Sequence, residues 1–501
     1  MDLDEVYQKI GELGRRQKLH LIKVSMGQVV AAMHLVLMVF VGEHPKIYCL
    51  SNLSLSNETI ICEQYRTKTC KNIGYRNQWT SLPMELDLIC NDAYKSELAQ
   101  SVFMFGFLLG ALTFGMVSDK IGRLRTLYIA CTIVVVFSFT LGFSTSFHMF
   151  AVVRTCIAFG LSGSGLVSYV LASEILGPSK RGVCAIVYSC FFAFGICLLS
   201  GMARMSTNWR QLSLWVSLTT VAVYALYLKL PESPRWLLTK GRVAEAKQVL
   251  QHIAIGNGRS AKGVILKIPG TTDKLHVESS GNKKSGGLLA LIQHGLLARW
   301  TIIQLYSWYA NSAVYFGLTM AAGNLNKSIY LSGMLSGLAE IPAYLSIYFL
   351  QNIASRKSLL CGTMIFGGVS CVSIVFLDPN DHSLDSFRTG VGLLGKVGIS
   401  ASFCMIYIHS AEIFATSVRN AGLGLCSTVA RVGGIMAPGI SMIGIKYPSK
   451  EFVVFGAICL SSGLLNLYLP ETKDRSLPET IDDMLDLDNQ VVGKKSTQTK
   501  V

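Results

Sequence analysis

Four ionisable residues interrupt otherwise apolar runs of this chain: Arg154, Glu340, Lys396 and Arg431. At the centre of a membrane helix such a residue costs roughly 2.5–3.5 kcal/mol, so each must face a partner or a watery cavity, and each is a candidate for function. Arg154 and Lys396 lie about seven residues into their runs, at equivalent places in the two halves, which predicts a structural role near the outer rim. Glu340 and Arg431 fall near the middle of theirs. A guanidinium takes a carboxylate through two parallel hydrogen bonds while an ammonium settles beside an acid, so both residues are candidate contacts for a charged substrate. The alternative is that Glu340 and Arg431 pair with each other or with neighbouring helices. Trp308, Tyr309, Tyr315 and Phe316 crowd one run. An ammonium over an aromatic face gains roughly 0.5–2 kcal/mol, although rings at this spacing also serve packing.

The elements that must position these residues follow from composition. The chain has 501 residues, 51% hydrophobic and only 15% charged, with mean hydropathy +0.44, too apolar for one soluble interior. Uncharged runs cover 24–42, 98–118, 126–153 with 155–173, 182–203, 211–228, 300–326, 358–377 and 452–470, and three more surround Glu340, Lys396 and Arg431. Splitting 126–173 at the polar GFSTSFH segment predicts twelve transmembrane helices, an all-α polytopic membrane protein. A β-barrel is excluded, because the runs lack its alternating period. The formal charge of +15 is cytoplasmic bias and calls for no nucleic acid.

Residues 43–97 hold Cys49, Cys62, Cys70 and Cys90 with the sequons at Asn52 and Asn57, the pattern of a disulfide-bonded, glycosylated extracellular loop. Its four cysteines allow three pairings, and the sequence does not choose among them. Residues 231–298 carry ten Lys or Arg against four Asp or Glu and read as a cytoplasmic linker. The layout is then a cytoplasmic N-terminus (1–23), a six-helix bundle (24–230), the linker, a second six-helix bundle (299–470) and a cytoplasmic tail (471–501). The halves repeat: Glu174-Ile-x-x-x-Ser-x-Arg181 recurs as Glu412-Ile-x-x-x-Ser-x-Arg419, and Leu-Pro-Glu232 recurs as Leu-Pro-Glu471. Two similar six-helix halves are the architecture of a rocking transporter with its site between them.

Several strings carry a resemblance. Gly115-Met-Val-Ser-Asp119-Lys-Ile-Gly122-Arg123 resembles the major facilitator signature, whose glycines permit close helix approach and whose Asp balances nearby cations. PESPRWL at 231–237, AEIFATSVRNAGLG at 411–424, RVGGIMAP at 431–438 and LPETK at 469–473 resemble solute carrier family 22, the organic cation, anion and carnitine transporters. Residues 315–344 most resemble a branch associated with zwitterions. The resemblance implies a major facilitator fold and alternating-access transport at the plasma membrane. It also implies that at the position of Arg431 cation carriers hold an acid whereas anion and carnitine carriers hold Arg, and that at the position of Glu340 cation and carnitine carriers hold Glu whereas many anion carriers hold a base or lack the acid. Together these point to zwitterions such as carnitine-like betaines. An organic cation or anion carrier is the alternative, followed by a sugar porter, although the paired glutamines of sugar porters are replaced by Gln304-Leu-Tyr-Ser-Trp308, and then a receptor-like protein that binds without transport.

Asp119, Arg123, Glu174, Arg181, Glu232, Arg235, Glu412, Arg419 and Glu471, with Gly115 and Gly122, are expected to form a conformational latch, their salt bridges joining the halves on the cytoplasmic side. The second-half counterpart of the signature, Gln351-Asn-Ile-Ala-Ser-Arg356-Lys357, lacks its Asp and Gly, which predicts a looser latch there. The chain ends in Thr499-Lys500-Val501, a pattern that adds a strand to a PDZ domain. The sequence contains no nucleotide-binding loop, zinc spacing or nucleophile elbow, so neither cofactor, metal nor catalysis is expected.

Overall fold

The computed structural model describes residues 3–50, 58–70, 73–75, 79–177, 180–260, 293–321, 328–378, 381–415, 418–447, 449–473, 475, 478, 481 and 483–485. It divides into two compact units, Met1–Gly281 and Asn282–Val501. The sequons at Asn52 and Asn57, the basic stretch 261–292 and the terminal Thr499-Lys500-Val501 lie outside the described residues.

Twelve long helices among the described residues are numbered here in chain order. The first unit holds α1 (Arg15–Val41), α2 (Tyr94–Ile121), α3 (Arg123–Leu141), α4 (Phe147–Ile175), α5 (Arg181–Met205) and α6 (Trp209–Ala225). The second holds α7 (Gly295–Ala321), α8 (Ile329–Ile353), α9 (Arg356–Ile374), α10 (Asp385–Ile413), α11 (Arg419–Lys446) and α12 (Glu451–Leu465). Eleven are long and apolar enough to cross a membrane. The twelfth, α7, trades hydropathy for buried Gln304, Ser307, Asn311 and Ser312. The polar segment after Leu141 separates α3 from α4, and the side chain of Ser146 caps α4 by accepting from the Met149 amide.

The repeat read in the sequence is also a repeat of packing. In the first unit α1 packs on α4, α5 and α6, α2 on α4, and α3 on α4 and α6. In the second, α7 packs on α10, α11 and α12, α8 on α10, and α9 on α10 and α12, the same six partnerships shifted by six helices. Close approach in the first unit is made by glycines of α2, but not by Gly115. A Cβ on Gly115 would sit 3.7 Å from the nearest atom, ordinary contact, whereas one on Gly106 or Gly110 would meet the Thr155 or Phe159 carbonyl of α4 at 2.5 or 2.3 Å. The expectation for Gly115 is therefore corrected: the small-xxx-small pair Gly106 and Gly110, earlier in the same helix, performs that job.

Several boundaries move. Helix α1 starts at Arg15, so part of the expected N-terminal tail belongs to the first span, and Leu3–Ile10 is itself a helix with Val6, Tyr7 and Ile10 buried. The linker opens with two helices, Pro234–Thr239 and Val243–Gly256, that pack on each other and bury Trp236, Leu237 and Leu250. The tail turns back as well, Met484 being buried in the apolar cluster of the second unit. Each departure has the same cause: amphipathic segments with charges on one face read as solvated when only charge is counted.

In the connection between α1 and α2 a hairpin pairs β1 (Ile47–Cys49) with β2 (Ile73–Tyr75) over a small core of Ile47, Ile61 and Ile89. Disulfides join Cys49 to Cys70 and Cys62 to Cys90, selecting one of the three pairings. Glu85 anchors this loop to α6, accepting from Arg210 at 2.5 and 2.9 Å and from the Trp209 indole at 2.7 Å. Those Arg210 bonds hold the Glu85 carboxyl below the usual carboxylate range.

Candidate functional site

The intramembrane charges separate into two environments. Arg154 on α4 is fully buried and donates to the His34 carbonyl of α1 at 2.8 Å and to Gln100 Oε1 of α2 at 2.6 Å, with its guanidinium over the Phe103 ring. One side chain thus ties three helices, a structural use. Lys396 does not share it. Its ammonium lies 3.1 Å from Glu340 Oε1 of α8, with side-chain exposures of 2% and 0%, so the pair is dry. Lys396 also donates to Thr319 Oγ1 of α7 and stands 3.4 Å from the Tyr315 ring centroid. Glu340 accepts further bonds from the hydroxyls of Tyr315, at 2.6 Å, and Tyr344, at 3.0 Å. Lys396 is thus the counterion of Glu340, a pair that joins α10 to α8.

Proline shapes the same place. Pro342, inside α8, has no amide to give the Leu338 carbonyl, and it stands two residues beyond Glu340. Pro438 interrupts α11 in the same way beyond Arg431. Arg431 is half-buried and interacts electrostatically with the Tyr407 phenol of α10. From Tyr407 a row of rings leads back to the ion pair. Trp308 meets Tyr407 at 4.4 Å between centroids, Tyr407 meets Phe403 at 5.8 Å, Phe403 meets Tyr315 at 5.7 Å, and Tyr315 meets Phe316 at 5.3 Å. Trp308 is further fixed by donating to Ser410 Oγ at 2.9 Å, while Tyr309 stacks on Tyr306, a turn away from this row.

The sequence reading missed Tyr344, Phe403 and Tyr407. Tyr344 was detectable, since it follows Glu340 by one helical turn, and Phe403 and Tyr407 share that spacing with each other. Which residues of α10 face α7 was not, because helical period fixes relative direction and leaves the absolute one open.

At the other end of each unit a second constellation appears twice. In the first, Arg123 bonds Asp119 at 2.5 Å and Glu174 at 3.2 Å, while Glu232 accepts from the amides of Arg123 and Leu124 at 3.1 Å. Gly122, at φ +110°, admits this because a Cβ there would lie 2.6 Å from Glu232 Oε2. In the second, Arg356 reaches Glu412 at 3.4 Å, and Glu471 accepts from the amides of Arg356 and Lys357 at 2.8 and 3.2 Å. Ser355 caps α9 where Gly122 stood, and Lys473 donates to the Asn352 carbonyl at the residue replacing Asp119. The counterpart is rebuilt with other partners, without an equivalent of the Asp119 bridge. Thr472 holds Glu412, and Arg419 bonds the Phe414 carbonyl at 3.1 Å. Each partner named here for these residues lies within the same unit. Arg235 lies in the first turn of Pro234–Thr239, and the side chain of Arg181 is outside the described residues. Burial pushes the Glu471 carboxyl up, but the Lys473, Arg356 and Lys357 amides and the Ser355 hydroxyl outweigh it and hold the group below its ordinary range.

Comparisons with known proteins give the family and the fold. The sequence profile described as "Sugar (and other) transporter" matches residues 55–484. The chain is 37% identical over 491 residues to a solute carrier family 22 member 15-like protein of Xenopus tropicalis, covering 97% of this chain and 96% of that one. It belongs to solute carrier family 22. Family members at 32% identity include an organic cation transporter protein of Drosophila melanogaster (96% of this chain, 94% of that one) and an organic cation/carnitine transporter of Arabidopsis thaliana (97% and 92%). Among solved structures, the partially occluded inward-open xylose transporter XylE from E. coli matches with TM-score 0.64 at 15% identity, covering 92% of this chain and 99% of that one. That likeness shows the major facilitator fold. This member of solute carrier family 22 is accordingly a multi-pass membrane transporter of organic ions, not an enzyme.

Proposed function

We propose that the chain carries small organic zwitterions, with carnitine-like betaines as the model, across the plasma membrane by alternating access. The observation that carries the reading is the aromatic row of the second unit, which has the Glu340–Lys396 pair at one end and the neighbour of Arg431 at the other. In this reading the substrate carboxylate takes two hydrogen bonds from the Arg431 guanidinium, and the ammonium lies against the rings of Trp308, Tyr315 and Phe316, its charge complementary to Glu340. Tyr309, turned toward Tyr306, contributes as a second layer. The name of the Arabidopsis relative supports such a substrate class.

The paired cytoplasmic constellations are the proposed conformational latch. Asp119, Gly122, Arg123, Glu174, Arg181, Glu232 and Arg235 serve the first bundle, and Glu412, Arg419 and Glu471 serve the second, by keeping helix ends rigid while the bundles rock. The reading extends to glycans on Asn52 and Asn57 and to a PDZ-domain partner at Val501.

The name of the Drosophila relative favours a second reading, a simple organic cation carrier. Reconstituted proteoliposomes separate the two. A labelled trimethylammonium carboxylate is expected to accumulate in preference to its analogue lacking the carboxylate. Equal or greater uptake of the analogue overturns the zwitterion reading, and saturable binding without accumulation overturns transport.

A further inference from the structure

A groove of about 560 Å³ runs along the second unit between the start of α7 and the end of α12, lined by Gly295, Ala298, Arg299, Ile302, Ile303, Leu465 and Tyr468. Its apolar wall is open: Ile302 is 64% and Tyr468 59% exposed. It lies at the end of the unit that carries the Arg356, Glu412 and Glu471 constellation, the end that the basic loops assign to the cytoplasm.

Helix α7 has 27 residues and spans roughly 40 Å at 1.5 Å each, so its first turn lies in the headgroup layer and Ile302 at the edge of the hydrocarbon. Water does not fill an apolar groove at that depth; an acyl chain does. The rim adds selectivity. The guanidinium of exposed Arg299 is stacked 4.6 Å from the Tyr468 ring centroid, and among the described residues no carboxylate forms an ion pair with it. Next to Tyr468, Lys357 Nζ donates to the Leu467 carbonyl at 2.9 Å. Two cations therefore flank one turn, above an apolar slot and beside an interfacial tyrosine.

We infer that this groove is a binding site for an anionic phospholipid of the cytoplasmic leaflet, its phosphate held by Arg299 with support from Lys357 and one acyl chain laid against Ile302, Ile303 and Leu465. A basic residue at the membrane surface is worth about a fivefold preference for anionic over neutral lipid. The bland alternative is an Arg stem snorkelling past whichever lipid is adjacent.

The test uses the full chain in detergent micelles with phosphatidylserine or phosphatidylcholine added at equal mole fraction, and native mass spectrometry counts retained lipid. Preferential retention of phosphatidylserine is expected. Arg299→Gln should lower that preference about fivefold, and Arg299→Lys should keep most of it. Equal retention of both lipids by the unaltered protein, or an unchanged preference in Arg299→Gln, overturns the inference. Displacement of the lipid by soluble glycerophosphoserine at comparable concentration overturns the acyl-chain part, because it would mean that the headgroup alone is recognised. Arg299 lies outside the proposed substrate row, so uptake by Arg299→Gln in phosphatidylcholine vesicles is expected to match that of the unaltered chain.

Discussion

Replacing either member of the Glu340–Lys396 pair is the perturbation with the largest expected effect. At 3.1 Å and an effective dielectric constant near 20, the attraction is about 5 kcal/mol. Much of that offsets desolvation of two fully buried groups. Removing one partner leaves the other charge uncompensated, and a loss of about 3–5 kcal/mol follows for Glu340→Gln or Lys396→Met. Removing both spares that penalty, so the double variant should be at least about 2 kcal/mol more stable than the sum of the singles predicts. Equilibrium unfolding of purified protein in mixed detergent micelles measures each corner of this cycle. The reasoning is refuted if either single substitution costs less than about 1 kcal/mol, or if the two effects add. Tyr315→Phe belongs to the same experiment: it removes the 2.6 Å bond to Glu340 while keeping the ring under Lys396, and should cost about 1.5–3 kcal/mol as a hydrogen bond to a charged group.

Other outcomes follow from the same geometry. Gly110→Ala places a Cβ 2.3 Å from a backbone oxygen of α4 and should destabilise by about 1–3 kcal/mol, whereas Gly115→Ala should be nearly neutral; thermal unfolding distinguishes them. Glu471→Gln weakens the cap on α9 and should cost about 0.5–2 kcal/mol at neutral pH. Because the folded Glu471 carboxyl is held below its ordinary value, its contribution is complete above that value and is lost as pH falls through the lower, folded one. The gap between Glu471→Gln and the unaltered protein should therefore close on acidification, as read from melting curves across pH. Replacing Cys62 and Cys90 by Ser opens a loop closed over 28 residues of separation and should cost roughly 3–4 kcal/mol, measured by loop proteolysis, with peptide mapping confirming that Cys49–Cys70 remains.

Much of this was legible before any coordinates. Charge-free runs located the spans because hydrocarbon tolerates few charges, and the repeated Glu-Ile-x-x-x-Ser-x-Arg strings announced two constellations that the fold then builds around Arg123 and Arg356. What escaped was direction and distance. Arg154 and Lys396 occupy similar depths in repeated helices, yet one binds a backbone carbonyl and an amide while the other meets an acid, a difference that depends on which neighbour faces inward. Likewise the signature around Gly115 suggested close approach, but the contact is made at Gly106 and Gly110, where α4 presents bare carbonyls. The helices of the linker and the N-terminal segment were hidden by their polar faces, since only packing turns an amphipathic stretch into a fixed element.

The central claim is that Arg431 selects a substrate carboxylate, and uptake by Arg431→Gln in proteoliposomes tests it most directly. The account predicts that accumulation of a trimethylammonium carboxylate falls at least about tenfold, as the loss of a charge-assisted bidentate contact implies, while its analogue lacking the carboxylate is carried as well as before or better. Undiminished uptake of the carboxylate-bearing substrate by Arg431→Gln contradicts it.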